Sequence, residues 1–185
     1  MLKFITGNKN KFKEIQTILA PLRIEQINID LSEIQELDPY KIIKHKLNEA
    51  FKHHKGEFIV EDDSVYLESL DHKLPGPFIK WFNQTIGNKG MVELAQRTKR
   101  DKVLLHVIIG YAKNPKKIIF FESKVTGRIV KPRGKGGFGF DPIFLPDNNK
   151  KTFAQLKAEN NFNFNARGLV VKKLKAYLLK TNEKK

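Results

Sequence analysis

Three adjacent acids, Glu61-Asp62-Asp63, follow the apolar run Phe58-Ile59-Val60 and precede Ser64. Carboxylates set side by side repel one another and are costly unless solvated or shared with a cation. Oxygen-only ligands suit Mg²⁺, which takes one or two protein carboxylates and fills its shell with water and phosphate oxygens. An acidic turn has the same sequence signature, but in a chain of net charge +15 a clustered acidic triplet stands out. A second stretch, Gly136-Gly137-Phe138-Gly139-Phe140-Asp141-Pro142, sets two aromatic faces among glycines. Glycine permits φ > 0 and close backbone approach, and the proline after Asp141 fixes that carboxylate at a turn. Such a loop suits a planar heterocycle. It equally suits a Gly-rich turn that tucks two phenylalanines into a core.

Four further segments carry chemistry-bearing types. Thr6-Gly7-Asn8-Lys9-Asn10-Lys11 joins an apolar run to a helical pattern. Backbone N–H groups at a helix N-terminus bind phosphate, and a lysine one turn in adds charge. The second glycine and the Lys-Ser/Thr ending of a Walker loop are missing, so an ordinary helix start is the alternative. In Asp30-Leu31-Ser32-Glu33, Glu33 offers a second metal carboxylate. In Pro75-Gly76-Pro77-Phe78-Ile79-Lys80-Trp81-Phe82, two prolines stiffen the backbone ahead of Lys80 and the one tryptophan. That arrangement suits an anionic ligand, or hydrophobic packing beside a surface lysine. Finally, Arg167 falls in the first turn after the N-cap type Asn165, where a guanidinium can meet a nucleobase oxygen or a phosphate.

The elements that must position these residues follow from periodicity. Phe4-Ile5-Thr6 reads as a buried strand, and Phe12, Ile15, Ile18 and Leu19 recur at helical spacing. Ile24 to Ile29 alternates as a strand. Asp38 before Pro39 is an N-cap followed by proline at the first helical position, and Ile42, Ile43, Lys46, Leu47, Ala50 and Phe51 share one face of that helix. Phe58 to Val60 is a strand ending at the acids, with Val65-Tyr66-Leu67 after them. Leu74 to Pro77 is a loop, Phe78 to Phe82 opens a helix, and Met91 to Ala95 is helical. The β-rich runs Val103 to Ala112 and Ile118 to Val130 flank Asn114-Pro115, a hairpin signal. Residues 131–141 form the Gly-rich loop, Thr152 to Ala158 a short helix, and Leu169, Val170, Leu174 and Leu178 a last helix. Strands and helices interleave at both ends with hairpins between, which predicts a mixed α/β sheet.

At 185 residues the chain has room for one sizeable domain, or one with a small subsidiary lobe. Hydrophobic content of 40% with 30% charged residues is globular. There are no cysteines, so any metal must sit on oxygen or imidazole. No apolar run reaches membrane-spanning length, and Gly7-Asn8-Lys9 ends the first apolar run too early for a signal peptide. A cytoplasmic protein is expected. The positive charge favours anionic partners. It is spread along the chain and is nowhere interleaved with aromatics in an RNA-binding pattern, so no specific nucleic acid is expected.

These segments, in this order, resemble the inosine/xanthosine triphosphate pyrophosphatase (ITPase) family. Its opening strand, [ST]-G-N, and the lysine and glutamate of the next helix match Thr6-Gly7-Asn8, Lys11 and Glu14. Its E-D-[ST] or D-D-S resembles Glu61 to Ser64, and its P-G-P-[YF]-I-K-W-F resembles Pro75 to Phe82. Its T-x-G-R-I-x-x-P-R-G and G-[FW]-G-[FWY]-D-P-x-F-x-P resemble Thr126 to Gly134 and Gly137 to Pro146. Its T-[FY]-A-[EQ]-[ML] resembles Thr152 to Leu156. The resemblance covers nearly the whole chain and implies a single domain over 1–185. The implied fold is α/β, an elongated mixed sheet with flanking helices and two lobes around a nucleotide-binding cleft. It also implies a homodimer, Mg²⁺, and hydrolysis of ITP, dITP or XTP to monophosphate and pyrophosphate.

The residue roles implied by the resemblance are specific. Glu33 and the acidic cluster, through Asp62, would hold the metal. Thr6, Gly7, Asn8, Lys11, Lys46, Ser64 and Lys80 would bind substrate. Phe138 and Phe140 lie where the family stacks the purine and Asp141 where it binds the base; Gly139, Asn160 and Arg167 would also bind substrate. The catalytic Asp is Asp62 if Val60-Glu61-Asp62 is matched, and Asp63 if residues are counted back from Pro75-Gly76. The family's E-K-N and S-H-R endings read here Glu159-Asn160-Asn161 and Asn165-Ala166-Arg167. Asn160 thus replaces a substrate-contacting lysine and Ala166 a base-reading histidine. A shifted or relaxed base specificity is the first alternative, and a basic nucleic-acid-binding module without turnover the second.

Overall fold

The computed structural model describes residues 1–29, 31, 34–161 and 164–182. From the N-terminus run β1 (Leu2–Ile5), α1 (Lys9–Leu19), β2 (Ile24–Ile27), α2 (Pro39–His53) and β3 (Glu57–Leu67). Next come β4 (Pro75–Gly76), α3 (Ile79–Thr85), α4 (Gly87–Thr98), β5 (Lys102–Asn114) and β6 (Lys117–Ile129). The chain ends with β7 (Phe144–Pro146), α5 (Phe153–Ala158) and α6 (Ala166–Asn182). The seven strands make one sheet in the order β2-β1-β3-β5-β6-β7, with β4 paired to β3. β1 is parallel to both β2 and β3, while β4 and β7 run antiparallel to β3 and β6. The sheet is therefore mixed, as the interleaved pattern predicts.

Local chemistry sets several boundaries. The Asp38 carboxylate accepts the Tyr40 N–H at 2.9 Å, and Pro39 opens α2. Asn114 and Lys117 leave only Pro115 and Lys116 between β5 and β6, the hairpin that Asn114-Pro115 signals. Thr152 and Gln155 form a capping box that starts α5. On α2, Ile43, Leu47 and Ala50 pack on Phe58 and Val60 of β3 and Ile108 and Ala112 of β5, all buried. Each large apolar side chain of this set contributes about 1.5–3 kcal/mol by leaving water. Gly110 of β5 makes the approach possible, because a Cβ there would collide with Ile43 and Leu47.

Two expectations change. The acidic triplet does not end a strand but lies inside β3, which runs on through Val65 to Leu67. Pro75-Gly76, expected as loop, pairs with Val65 and Tyr66 as a short strand. The chain forms two compact units: Met1–Asp62, Val107–Ser123 and Arg167–Lys185 in the first, Asp63–His106 and Lys124–Ala166 in the second. Their boundaries fall within β3, β5 and β6 and at the start of α6, not in a linker. That is why the sequence shows no break in composition.

Candidate active site

The β1–α1 turn of the first unit is held by its own polar side chains. The Thr6 hydroxyl accepts the Asn8 N–H at 3.1 Å. Asn8 is the N-cap of α1, its side-chain oxygen accepting the N–H groups of Asn10 at 3.0 Å and Lys11 at 3.1 Å. The Gln26 amide donates to the Thr6 carbonyl at 2.9 Å, tying the turn to β2. Gly7 and Asn8 are exposed, and Lys11 points back toward β3, its Nζ 3.5 Å from Glu61 Oε2. The turn thus presents the Gly7-Asn8 backbone to solvent at the start of a helix, where an anion is favoured, with Lys11 half-buried behind it.

Within β3 the side chains alternate between faces. Phe58 and Val60 face α2, so Asp62 falls on that side, and Glu61 and Asp63 on the other. Asp62 is 7% exposed. Lys46 of α2 is half-buried on the helical face of Ile42, Ile43 and Ala50, which spacing of three and four residues sets together. Ser64 is fully buried and Asp63 half-buried.

Glu61 has a different fate. Its side chain is 0% exposed and accepts the Arg167 Nε–H at 2.6 Å. Arg167 Nη1 donates at 2.6 Å to Glu14 of α1. Charge-assisted bonds of this kind offset part of the cost of burying ions. Of the three adjacent acids, the first is thereby neutralised by a guanidinium 106 residues away in sequence. Arg167, expected on a base or phosphate, is engaged in this structure by two carboxylates. Glu33, expected at a metal, lies outside the described residues, as do Asp30 and Ser32. Among the described residues no group of three or more His, Asp or Glu side chains has metal-binding geometry.

The Gly-rich loop belongs to the second unit. Gly137 and Gly139 have φ of 74° and 62°, the left-handed region. A Cβ on Gly137 would run into the Asp141 carboxylate. Asp141, 4% exposed, accepts the Phe138 N–H at 2.7 Å and the Lys157 ammonium at 2.8 Å, both on Oδ2. Phe138 and Phe140 are half-buried. Phe140 leans on Phe144, centroids 6.1 Å apart, and Phe144 stacks on Phe153 at 4.3 Å. The Gly139 carbonyl accepts the Asn88 amide at 3.0 Å. Lys80 is exposed, its Nζ 5.6 Å from the ring of Trp81.

Both departures from the family endings have local roles. Asn160 takes the left-handed conformation (φ 54°) just past α5. Its N–H reaches the Lys157 carbonyl at 3.0 Å, and that of Asn161 reaches Leu156 at 2.9 Å, the paired bonds of a Schellman cap. Asn is tolerated there as few residues are. Ala166 is 0% exposed at the first position of α6. Sequence reasoning missed Lys157, which reads as one surface lysine among many until Asp141 is seen against it.

The Ham1 family model matches residues 2–177. Inosine triphosphate pyrophosphatase 1 of Trypanosoma cruzi is 34% identical over 176 residues, spanning 94% of this chain and 89% of its own length. Inosine triphosphate pyrophosphatase of Schizosaccharomyces pombe is 33% identical over 177 residues, 95% of this chain and 93% of its own. A dITP/XTP pyrophosphatase of Methanopyrus kandleri is 33% identical over 159 residues, 84% of each. The Ham1 protein of Staphylococcus aureus has the same fold at TM-score 0.79 and 20% identity, covering 98% of this chain and 100% of that one. The HAM1 protein of Coxiella burnetii does so at 0.77 and 21%, covering 97% and 100%.

Proposed function

The chain belongs to the Ham1 family, and from that premise we propose that it is a nucleoside-triphosphate pyrophosphatase. It hydrolyses non-canonical purine nucleotides, ITP, dITP and XTP, to the monophosphate and pyrophosphate. Relatives named for those substrates match nearly its whole length. The observation that carries the assignment is the state of the acidic strand. Glu61 is neutralised by Arg167, while Asp62 is buried on the opposite face, toward the helix that carries Lys46.

Each residue then has a task. The exposed Gly7-Asn8 backbone, Thr6, Lys11 and Lys46 bind the triphosphate, whose negative charge the lysines offset. Asp62 orients the attacking water and accepts its proton; Asp63, on the other face of β3, is the second choice for that role. The buried Ser64 fixes the strand beside them. Arg167 acts through Glu61 and Glu14, holding β3 and α1 so that Asp62 and the β1–α1 turn keep their places. In the second unit Phe138 offers a face for the purine, supported by Phe140, Gly139 and Asp141, and Lys80 offers an exposed cation.

We further propose Mg²⁺ as cofactor. The donor chemistry fits: Asp62, with Glu33, supplies hard carboxylate oxygens, and the chain has no thiolate to favour a softer ion. When bound, such an ion neutralises charge on the departing pyrophosphate. The family resemblance supports a homodimer working in the cytoplasm. Among the described residues no helix is long and apolar enough to cross a membrane.

The reaction class is tested by its products. Incubation with ITP and Mg²⁺, followed by ³¹P NMR, is expected to give inosine monophosphate and pyrophosphate. Inosine diphosphate with orthophosphate, or unchanged ITP, overturns the proposal.

A further inference from the structure

Lys157 is a buried cation that the reaction scheme above leaves unused. Its side chain is only 6% exposed, matching the 6% of its partner Asp141. Burying an ammonium costs free energy unless a carboxylate meets it, and replacing such a pair by apolar residues is often neutral or stabilising. A surface lysine on the short helix α5 would satisfy the fold more cheaply. The pair therefore calls for a reason beyond stability.

Its surroundings supply one. Asp141 Oδ2 joins Lys157 Nζ at 2.8 Å to the backbone N–H of Phe138 at 2.7 Å, so one carboxylate oxygen ties helix and aromatic loop together. The ammonium also lies 4.7 Å from the centroid of the Phe138 ring, within cation–π range. Phe138 is thus fixed twice: its backbone by Asp141, its ring by the cation on one face. Gly137 carries no Cβ in the space the carboxylate fills. The opposite face of the ring is the one such an arrangement keeps for a ligand.

Resting on the reading that this loop takes the purine, we propose that Lys157 is a positioning residue for base binding. It pins Asp141 and backs the Phe138 ring, so that the other ring face is held ready to stack a base. The cation itself touches no phosphate. Loss of Lys157 is expected to weaken binding of the base and to spare the chemical step.

The test is steady-state kinetics with ITP and Mg²⁺ for the wild type, Lys157→Met, Lys157→Arg, Asp141→Asn and the Lys157→Met/Asp141→Asn double variant, with thermal melts alongside. Lys157→Met and Asp141→Asn are each expected to raise KM about tenfold, about 1.4 kcal/mol, with kcat changed less than threefold. The double variant is expected to be no worse than either single one, as coupled neighbours behave, and Lys157→Arg to recover most of the loss. A KM within twofold of wild type in Lys157→Met, a loss confined to kcat, or additive effects in the double variant overturn the proposal. If Lys157→Met does not fold, Lys157→Gln against Lys157→Arg decides by the same readouts. If the wild type proves inactive, the assigned reaction fails separately. Calorimetric binding of inosine monophosphate to the same variants then decides on Lys157, and a wild type that does not bind it overturns this inference also.

Discussion

Replacing Arg167 by methionine probes how far the site rests on buried charge. Methionine keeps an unbranched apolar chain and removes the guanidinium. The change takes away the group that lies 2.6 Å from both Glu61 and Glu14, whose side chains are 0% and 12% exposed. Removing one partner of a buried ion pair costs about 3–5 kcal/mol, because the surviving charge keeps its desolvation penalty. Lys11 remains 3.5 Å from Glu61 and is itself only 19% exposed, which places the expected loss at the lower end. For a chain of this length, about 3 kcal/mol lowers the melting midpoint by about 6–12 °C. The deficit has a pH signature. In the variant, burial pushes the Glu61 carboxyl above its ordinary value. The resulting penalty is present at pH values above the folded-state pKa and vanishes below the unfolded value of about 4.3. The gap between variant and wild type should therefore narrow as pH falls from 7 toward 4.5. Calorimetric melts at both pH values read it directly. Adding Glu61→Gln to the variant should restore part of the loss. A drop under about 2 °C at pH 7, or a gap that widens on acidification, would refute the reasoning.

Two other outcomes follow from the same geometry. Asp62→Asn should lower kcat for ITP by about 10²–10⁴, the range for loss of a positioned base, and Asp63→Asn should lower it less than tenfold; the reverse order, in the pyrophosphate assay, moves the base to Asp63. Burial, then the 2.8 Å hydrogen bond to Glu57, holds the Tyr111 phenol above its ordinary value of 10.0. The stability this confers is whole below the unfolded pKa and is lost as pH rises toward the folded one. Denaturant titrations between pH 9 and 11 should therefore show wild type losing more stability than Tyr111→Phe, and equal losses would contradict this.

Much of this was legible in the sequence because the signals are local. Asp38-Pro39 and Asn114-Pro115 each announce an element boundary through a short-range hydrogen bond or a missing N–H. The glycines at 137 and 139 signal positive φ, and the structure has them there. What stayed hidden depends on partners far away. Acids are poor strand formers, so Glu61 to Asp63 read as a strand end. They lie within β3, where Arg167 of a distant helix meets Glu61. β7 is only three residues long and closes on a proline, too short for a periodic signal. Lys157 and Asp141 are sixteen residues apart, and no spacing rule links a helix lysine to a loop carboxylate. At position 160 the family resemblance points to a lost contact, whereas the backbone shows a helix cap that favours Asn.

Hydrolysis of non-canonical purine triphosphates is read out by kcat/KM for pyrophosphate release across ITP, XTP, dITP, ATP and GTP under one set of conditions. ITP or XTP should exceed ATP by about a hundredfold or more, the discrimination a polar base site can provide. Equal or better turnover of ATP and GTP would contradict it.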